Sequence, residues 1–247
     1  MAAVFSAELM KLRRSWMPAA TVLTAIAGPV FAALAVWAVL TLEQSNVPVP
    51  QIDVTWSSFL VEGGSFTILL VFFAVMLACA YVFGREYQEG TLEILAAAPL
   101  RSSDIVFGKL AALLAWTAAV SAISFAASIV AGYAVGMGPL AAGDLWSAFG
   151  IHVQRTLVCF SGLPLVGWIA MRGRGLLLPA TFGVTTVFAA VWLRSLPPAR
   201  YIPYLMPAAG TPESGVAFPA ASWILVVLTM VAGMAVSLWE MTTQDAV

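Results

Sequence analysis

Charged side chains are scarce in this sequence. Asp, Glu, Lys and Arg make up 9% of its 247 residues and hydrophobic residues 62%, whereas a soluble domain carries about 25% charged and about 45–50% apolar residues. The net charge of -1 gives the chain no general attraction to nucleic acid. This composition argues against a water-soluble fold and predicts an integral membrane protein in contact with the lipid bilayer.

The groups that enzymes use are scarce as well. The single histidine, His152, excludes an HExxH metalloprotease helix, which needs two histidines, and nothing near it resembles a nucleophile turn. The acids Glu62 and Asp104 lie at opposite membrane faces, so they cannot work as a catalytic pair. A GxxxxGK[ST] phosphate loop is absent. We therefore predict that the chain is not an enzyme and has no catalytic, cofactor or metal site of its own.

Cysteine is limited to two residues, Cys79 and Cys159. Both lie in apolar stretches, where a lone cysteine behaves as a small hydrophobic residue. We predict free buried thiols rather than a disulfide or a metal site.

Long apolar runs are abundant, and a helix needs about 20 such residues to cross the hydrocarbon core of a membrane. Segments with Pro, Gly or charge separate the runs. His152 and Arg155 interrupt the fourth run, which suggests a tilted or partly re-entrant start. We predict a single all-α transmembrane domain over residues 1–247, with six spans at about 16–40, 57–83, 104–135, 145–171, 175–193 and 219–239.

The basic residues set the orientation, because short cytoplasmic loops carry an excess of Lys and Arg. With the N-terminus inside, eight basic residues fall on the inner side and only Arg194 and Arg200 on the outer side. We therefore predict that both termini are cytoplasmic. The inner residues are Lys11, Arg13, Arg14, Arg85, Arg101, Lys109, Arg172 and Arg174.

Residues 1–15 have the pattern of an amphipathic helix on the membrane surface. An apolar stripe at helical spacing, formed by Phe5, Leu9, Leu12 and Trp16, lies among polar residues that include Glu8. Two interpretations remain open. The helix is an anchor attracted to anionic lipid, or it also contacts a cytoplasmic partner.

The longest polar stretch of the predicted inner face lies between the second and third spans. If it is helical, Glu86, Glu89 and Glu93 share one side, because they are three and four residues apart. Other residues indicate where this helix bends and stops and where the next one begins. They are Gly90 as a bend, Pro99 as a stop, and Ser103 or Asp104 as the cap of the next helix.

A family resemblance rests on four short motifs in and after this stretch. They are Arg85-Glu86, Glu89-Gly90-Thr91-Leu92, Ala98-Pro99 and Gly108-Lys109-Leu110. In these motifs the chain resembles the membrane subunits of ATP-binding cassette (ABC) exporters of the second permease type, especially the bacitracin- and lantibiotic-resistance kind. The amphipathic start and the six-span layout agree more loosely with that family.

The resemblance implies a cytoplasmic coupling helix between the second and third spans that docks on a separate P-loop ATPase subunit, which binds the ATP and Mg. It also implies a dimer with itself or with a sister permease in the bacterial plasma membrane. The alternative is a solvated inner loop with no docking role. The residues that the resemblance assigns to ATPase coupling are Arg85, Glu86, Glu89, Gly90, Thr91, Leu92 and Glu93.

The predicted outer side has two features of interest. Residues 195–218 are rich in proline, and the resemblance suggests short re-entrant helices that shape a gate, with Tyr201 and Tyr204 among the gate residues. A proline-stiffened loop with an aromatic belt is the alternative. Ionisable groups at outer helix ends are candidates for a transport pathway, although they could instead snorkel to the headgroups. These groups are Glu62, His152 and Arg155.

The hypothesis that follows is the permease subunit of an ATP-driven exporter. Few charges in the spans suggest an amphipathic or hydrophobic cargo such as a peptide antibiotic or a drug. Two alternatives remain open, an ion-coupled secondary carrier and a non-transporting scaffold subunit of a membrane complex.

Overall fold

The described part of the chain is helical. In a computed structural model, residues 1–44, 55–91, 100–209 and 218–244 are described, and these residues contain helices and turns but no strand. The predicted all-α class is thereby confirmed. The helices are α1 (Ala2–Arg13), α2 (Met17–Gln44), α3 (Trp56–Gln88), α4 (Ser102–Ala134), α5 (Ala142–Arg172), α6 (Leu177–Leu193), α7 (Met206–Ala209) and α8 (Ala220–Gln244).

Five of these helices, α2 to α5 and α8, are long and apolar enough to cross a membrane. Helix α3 is central, since 72% of its apolar stretch is buried, compared with 17% in α2 and 22% in α8. The outward faces of α2 and α8 are therefore available to lipid or to another protein. The predicted fifth span corresponds to α6, which has only 17 residues.

Helix α6 and the turn before it nevertheless run alongside nearly half of α3, in the opposite direction. Three contacts follow one another along the pair: Gly175 on Gly84, Gly183 on Met76, and Ala190 with Leu69. At 1.5 Å per residue, the stretch of α3 between the first and last contacts is about 22 Å long. The short helix and the turn before it thus follow just under half of α3, whose 33 residues are about 50 Å long.

The start of α3 has a feature that the sequence analysis did not predict. Thr55 and Ser58 form a reciprocal capping box, and the next residues, Phe59–Gly63, form a wider π-helical turn. The carbonyl of Val61 in this turn accepts hydrogen bonds from Arg155 Nη1 at 2.8 Å and from Ser65 Oγ at 3.1 Å. The wide turn therefore ties α3 to α5.

Helix α5 is continuous from Ala142 to Arg172, so the partly re-entrant form of the predicted start is wrong, and the tilted form stays a prediction. His152 and Arg155 are accommodated because both side chains are buried against other helices. The prediction for the cysteines is confirmed, since Cys79 and Cys159 are free and buried.

Candidate functional site

The end of α3 and the start of α4 lie at the same end of the bundle, called the inner end below after the predicted topology. At this end Arg85 and Glu89 form an ion pair one helical turn apart, with Arg85 Nε 2.6 Å from Glu89 Oε1. Arg85 Nη1 also donates to the Tyr81 hydroxyl at 2.6 Å. The pair is accessible, because the Glu89 side chain is 46% exposed. Arg85 and Glu89 therefore present a fixed polar face to solvent.

Helix α3 ends at Gln88, and Gly90 makes the turn that follows. Gly90 has φ +66°, and the Thr91 N–H donates to the Glu86 carbonyl at 3.0 Å. This is the Schellman pattern of helix termination, which favours glycine at the left-handed position. Gly90 therefore ends the helix, and its predicted role as a bend within a helix is wrong. The chain leaves α3 through the exposed Gly90 and the half-buried Thr91.

The predicted coupling helix is only partly covered by the described residues. Residues 84–88 are the last turn of α3 rather than a separate helix. Leu92, Glu93 and the predicted stop at Pro99 lie outside the described residues. The predicted cap at Ser103 or Asp104 is wrong, because α4 begins at Ser102 with Arg101 in the cap position and no side-chain cap. Asp104 lies instead in the first turn, where a carboxylate interacts favourably with the helix dipole.

Glu86 points away from the exposed face that Arg85 and Glu89 form. Its side chain is buried, and its Oε1 lies 2.9 Å from Lys109 Nζ and 3.2 Å from Lys11 Nζ. Glu89 follows Glu86 by three positions, yet the Glu86 side chain is buried and the Glu89 side chain is exposed. The predicted shared acidic side is therefore wrong for this pair, and Glu86 is not part of an exposed docking surface.

Lys109 is almost fully buried, near the start of α4. Besides Glu86, its Nζ donates to the Val82 carbonyl at 2.6 Å, lies 5.4 Å from the centre of the Phe83 ring and is 3.7 Å from Glu8 Oε1. A buried ammonium is costly unless it is paired and hydrogen-bonded. These contacts with α1 and α3 provide both kinds of compensation for its charge.

Glu86 and Lys109 form a charged group with two residues of helix α1, Glu8 and Lys11. Lys11 Nζ is 2.7 Å from Glu8 Oε1, and Glu8 is only 3% exposed. Burial disfavours the charged form of Lys11, but the carboxylates of Glu8 and Glu86 outweigh it and raise the pKa of Lys11 above 10.5. Lys11 is therefore protonated at physiological pH.

The buried face of α1 differs from the predicted stripe. It consists of Val4, Glu8 and Leu12, spaced four residues apart, whereas Trp16 is 56% exposed. A methyl group on Gly108 would come within 2.7 Å of Val4, so α1 packs directly on the backbone of α4. Phe5 and Leu9 are only partly buried, which leaves their side of the helix available to the membrane surface.

The turn between α5 and α6 also reaches the inner end of α3. A Cβ on Gly84 would lie 2.9 Å from the Gly175 carbonyl oxygen, and one on Gly175 would lie 3.2 Å from Gln88 Nε2. Next to this turn, Arg172 Nη1 is 3.6 Å from the carboxylate of Glu240 on α8. Several helices of the bundle therefore meet where α3 ends.

The proposed pathway residues of the outer half are tied into the protein. His152 Nε2 is 2.8 Å from Ser121 Oγ, which in turn is 2.7 Å from Thr156 Oγ1. Arg155 lies near Glu62 and donates to the Val61 carbonyl. His152 and Arg155 are 7% and 4% exposed, so neither snorkels to the surface. Their role in a pathway stays a prediction.

The two tyrosines of the proline-rich segment have different environments. The Tyr204 hydroxyl donates to the Gly162 carbonyl at 2.8 Å, and its ring stacks near Phe72 and packs edge-on against Phe182. Tyr201 ends a short 3-10 helix, Pro197–Tyr201, and its ring lies under Arg200. Tyr204 thus packs the segment against the helix bundle. Residues 210–217 of the segment lie outside the described residues, and the predicted gate stays a prediction.

Sequence reasoning missed Glu8 and gave Lys109 no role of its own. A signal for Glu8 was present, because it lies midway between Val4 and Leu12 on one helical face. An acid in an apolar row, and a lysine near the start of a membrane span, together suggest a buried pair. Among the described residues, no group of three or more His, Cys, Asp or Glu side chains could hold a metal ion.

The apolar helices and the charged inner end define a multi-pass helical membrane protein. A family profile described as "ABC-2 family transporter protein" matches residues 4–190, more than half of the chain. The chain therefore belongs to the ABC-2 family of transporter proteins. A search of curated proteins found no match. The matched range begins in α1 and ends in α6, so it includes the whole inner-end charge group.

Proposed function

We propose that this chain is the membrane-spanning subunit of a bacterial ABC exporter in the plasma membrane, driven by separate P-loop ATPase subunits that bind ATP and Mg. Membership of the ABC-2 family makes it an ABC-type permease and implies an ATPase partner. The observation that carries the proposal beyond the family is the polar turn at the inner end, where α3 stops and Glu89 and Gly90 are exposed.

The proposed docking surface consists of Arg85, Glu89, Gly90 and Thr91. Leu92 and Glu93, which the family resemblance also assigns to coupling, lie outside the described residues. The Arg85–Glu89 pair supports this assignment because it is exposed and its geometry is fixed by hydrogen bonds. A rigid, charged element of this kind can be held by a complementary surface and can transmit a displacement. Glu86, on the buried side of the same helical turn, is not part of this surface.

The proposed cargo is amphipathic or hydrophobic, such as a peptide antibiotic or a drug. The composition supports this, since 9% of the residues are charged, and buried ionisable groups such as Arg155 bind protein atoms. The chain is proposed to act as a dimer with itself or a sister permease. The outward apolar faces of α2 and α8 are compatible with such a partner as well as with lipid.

Co-purification tests the docking surface. The tagged chain is expected to recover a P-loop ATPase from membranes, identified by mass spectrometry, and Glu89→Lys is expected to reduce that recovery about tenfold or more. The substitution places a second cation beside Arg85 and removes the ion pair. Because exposed ion pairs contribute only about 0–1 kcal/mol to stability, the variant is expected to remain folded.

The matched control is Asp144→Lys, which makes the same charge change at the start of α5, on the predicted outer side, and is expected to leave ATPase recovery unchanged. Equal recovery with Glu89→Lys and the parent chain would refute the docking surface. If no ATPase is recovered with the parent chain, the exporter proposal itself fails.

Export is tested in cells that produce the chain together with the recovered ATPase. We expect lower accumulation of a fluorescent amphipathic peptide than in cells whose ATPase lacks its P-loop lysine. Transport that follows a proton or sodium gradient and is indifferent to ATP would favour an ion-coupled carrier. Unchanged transport together with loss of a larger membrane complex on deletion would favour a scaffold subunit.

A further inference from the structure

Four charged residues of three helices form one group at the inner end, in which three side chains are buried and that of Lys11 is partly exposed. Glu8 and Lys11 come from α1, Glu86 from α3 and Lys109 from α4. The group, called the ion clamp below, has two carboxylates and two ammonium groups and no net charge. The Oε1 atom of each carboxylate lies within ion-pair distance of both lysines, at 2.7 to 3.7 Å.

Stability alone does not explain why the chain buries these charges. A buried ion group gains little over apolar side chains of the same size, because desolvation offsets the attraction, while removal of one partner leaves an uncompensated charge. Such a group fixes which helices meet and in which register. In the ion clamp, the fixed relation is that of α1 to the end of α3 and the start of α4.

The neighbouring packing selects the same arrangement. Gly108 lets Val4 approach the backbone of α4, and one turn further along α1 this brings Glu8 towards Lys109. Leu12, another turn on, is completely buried in the main core. Steric fit and charge therefore specify one register for α1.

The position of the clamp relates it to the proposed docking surface. Glu86 lies between Arg85 and Glu89 in the last turn of α3, and Lys109 lies in the first turns of α4. The clamp therefore joins the two helices between which the chain segment with the docking surface runs. Only the residues from Arg14 to Trp16 separate α1 from α2. A displacement of the docking surface therefore has a direct route through α1 into α2.

We propose, on the basis of the proposed function, that Lys109 and Glu86 are positioning residues that join α1 to the end of α3 and the start of α4. These three parts then move as one body during transport. Loss of the clamp leaves the docking surface intact but uncouples α1 and α2 from the ATPase. Its signature is ATP hydrolysis with little transport.

The decisive variant is the double substitution Glu86→Gln with Lys109→Met. It removes one carboxylate and one ammonium and leaves Glu8 paired with Lys11, so the buried charge stays balanced. Lys109→Met alone leaves an excess carboxylate. The double variant thus separates loss of positioning from loss of folding, and it is expected to recover the expression level that the single variant loses.

The first measurement needs no ATPase. A nitroxide on Ser6→Cys, on the exposed side of α1, reports the mobility of that helix in vesicles, and the native cysteines are buried. We expect a mobile spectral component to appear in the double variant. Arg13→Gln with Arg14→Gln, which removes two exposed charges outside the clamp, at the end of α1 and directly after it, is expected to leave the spectrum unchanged. A spectrum of the double variant identical to that of the parent would overturn the proposal.

The second measurement uses the complex with the recovered ATPase. We expect the double variant to bind the ATPase as the parent does, to hydrolyse ATP, and to transport about tenfold less cargo per ATP. A mobile α1 with unchanged transport per ATP would also overturn the proposal. Failure of the parent chain to bind any ATPase would refute the proposed function, and the mobility measurement would still decide whether the clamp holds α1.

Discussion

Neighbouring charged residues at the inner end have different tasks. Glu89 is exposed and pairs with Arg85, whereas Glu86 is buried and shared by two lysines. An exposed pair contributes about 0–1 kcal/mol, but removal of one partner from a buried pair costs about 3–5 kcal/mol. Substitution of Glu89 therefore tests docking, while single substitution of Glu86 first tests folding.

Gly108 matters because it has no Cβ, which leaves room for α1 to pack on α4. A Cβ at this position would be 2.7 Å from both Cβ and Cγ1 of Val4, which is too close for a normal contact. We expect Gly108→Ala to destabilise the chain by about 1–3 kcal/mol, the usual cost of overpacking. The measurement is thermal unfolding in detergent.

Gly150, within α5, is the matched control, because a Cβ there meets no atom within 4 Å. Gly150→Ala is expected to stabilise α5 by up to about 1 kcal/mol through the higher helix propensity of alanine. If Gly108→Ala raised the unfolding temperature as Gly150→Ala does, α1 would not be packed on α4 as described.

Helices α3 and α5 both end with a residue in the left-handed backbone conformation, but the residue differs. Helix α3 ends with Gly90 at φ +66°, but α5 ends with Arg174 at φ +47° in the corresponding position. There the Gly175 N–H donates to the Ala170 carbonyl at 3.2 Å. A residue with a Cβ pays about 1–2 kcal/mol in this left-handed conformation. The turn that contacts Gly84 is therefore built with strain.

Arg174→Gly is expected to relieve that strain and to stabilise the chain by about 1 kcal/mol. The Arg174 side chain is exposed, so little packing is lost. Arg174→Ala removes the same charge but keeps the Cβ, and it is expected to leave the unfolding temperature nearly unchanged. Equal stabilisation by both variants would attribute the effect to charge instead of conformation.

At the same scale, the positions of the helices could be predicted from the sequence better than the contacts between them. The apolar run at 145–171 corresponds closely to α5, because hydropathy is a property of consecutive residues. The burial of Glu8 was not predicted, since it depends on Lys109, which is a hundred positions away in sequence. Likewise, the separation of Glu86 from Glu89 depends on where α1 packs, and the π turn at Phe59–Gly63 depends on its contact with α5.

At the scale of the whole molecule, α6 decides the topology. In the part of the chain that the structure describes, five helices meet the length expected of a span, and with five crossings the termini would lie on opposite sides. With α6 as a sixth, both lie on one side, as the distribution of basic residues predicts. The contacts along α3, from Gly175 in the turn before α6 to Ala190 within it, are compatible with the crossing, although 17 residues reach only about 25 Å.

Single cysteines on either side of α6 test this crossing. Arg174→Cys, before the helix, is expected to react with a membrane-impermeant maleimide only in inside-out vesicles, and Arg194→Cys, after it, only in intact cells. Ser6→Cys on α1 is expected to behave like Arg174→Cys, which places the clamp and the docking surface on the ATPase side. Reaction of positions 174 and 194 from the same side would show that α6 does not cross, and reaction of Ser6→Cys in intact cells would invert the topology.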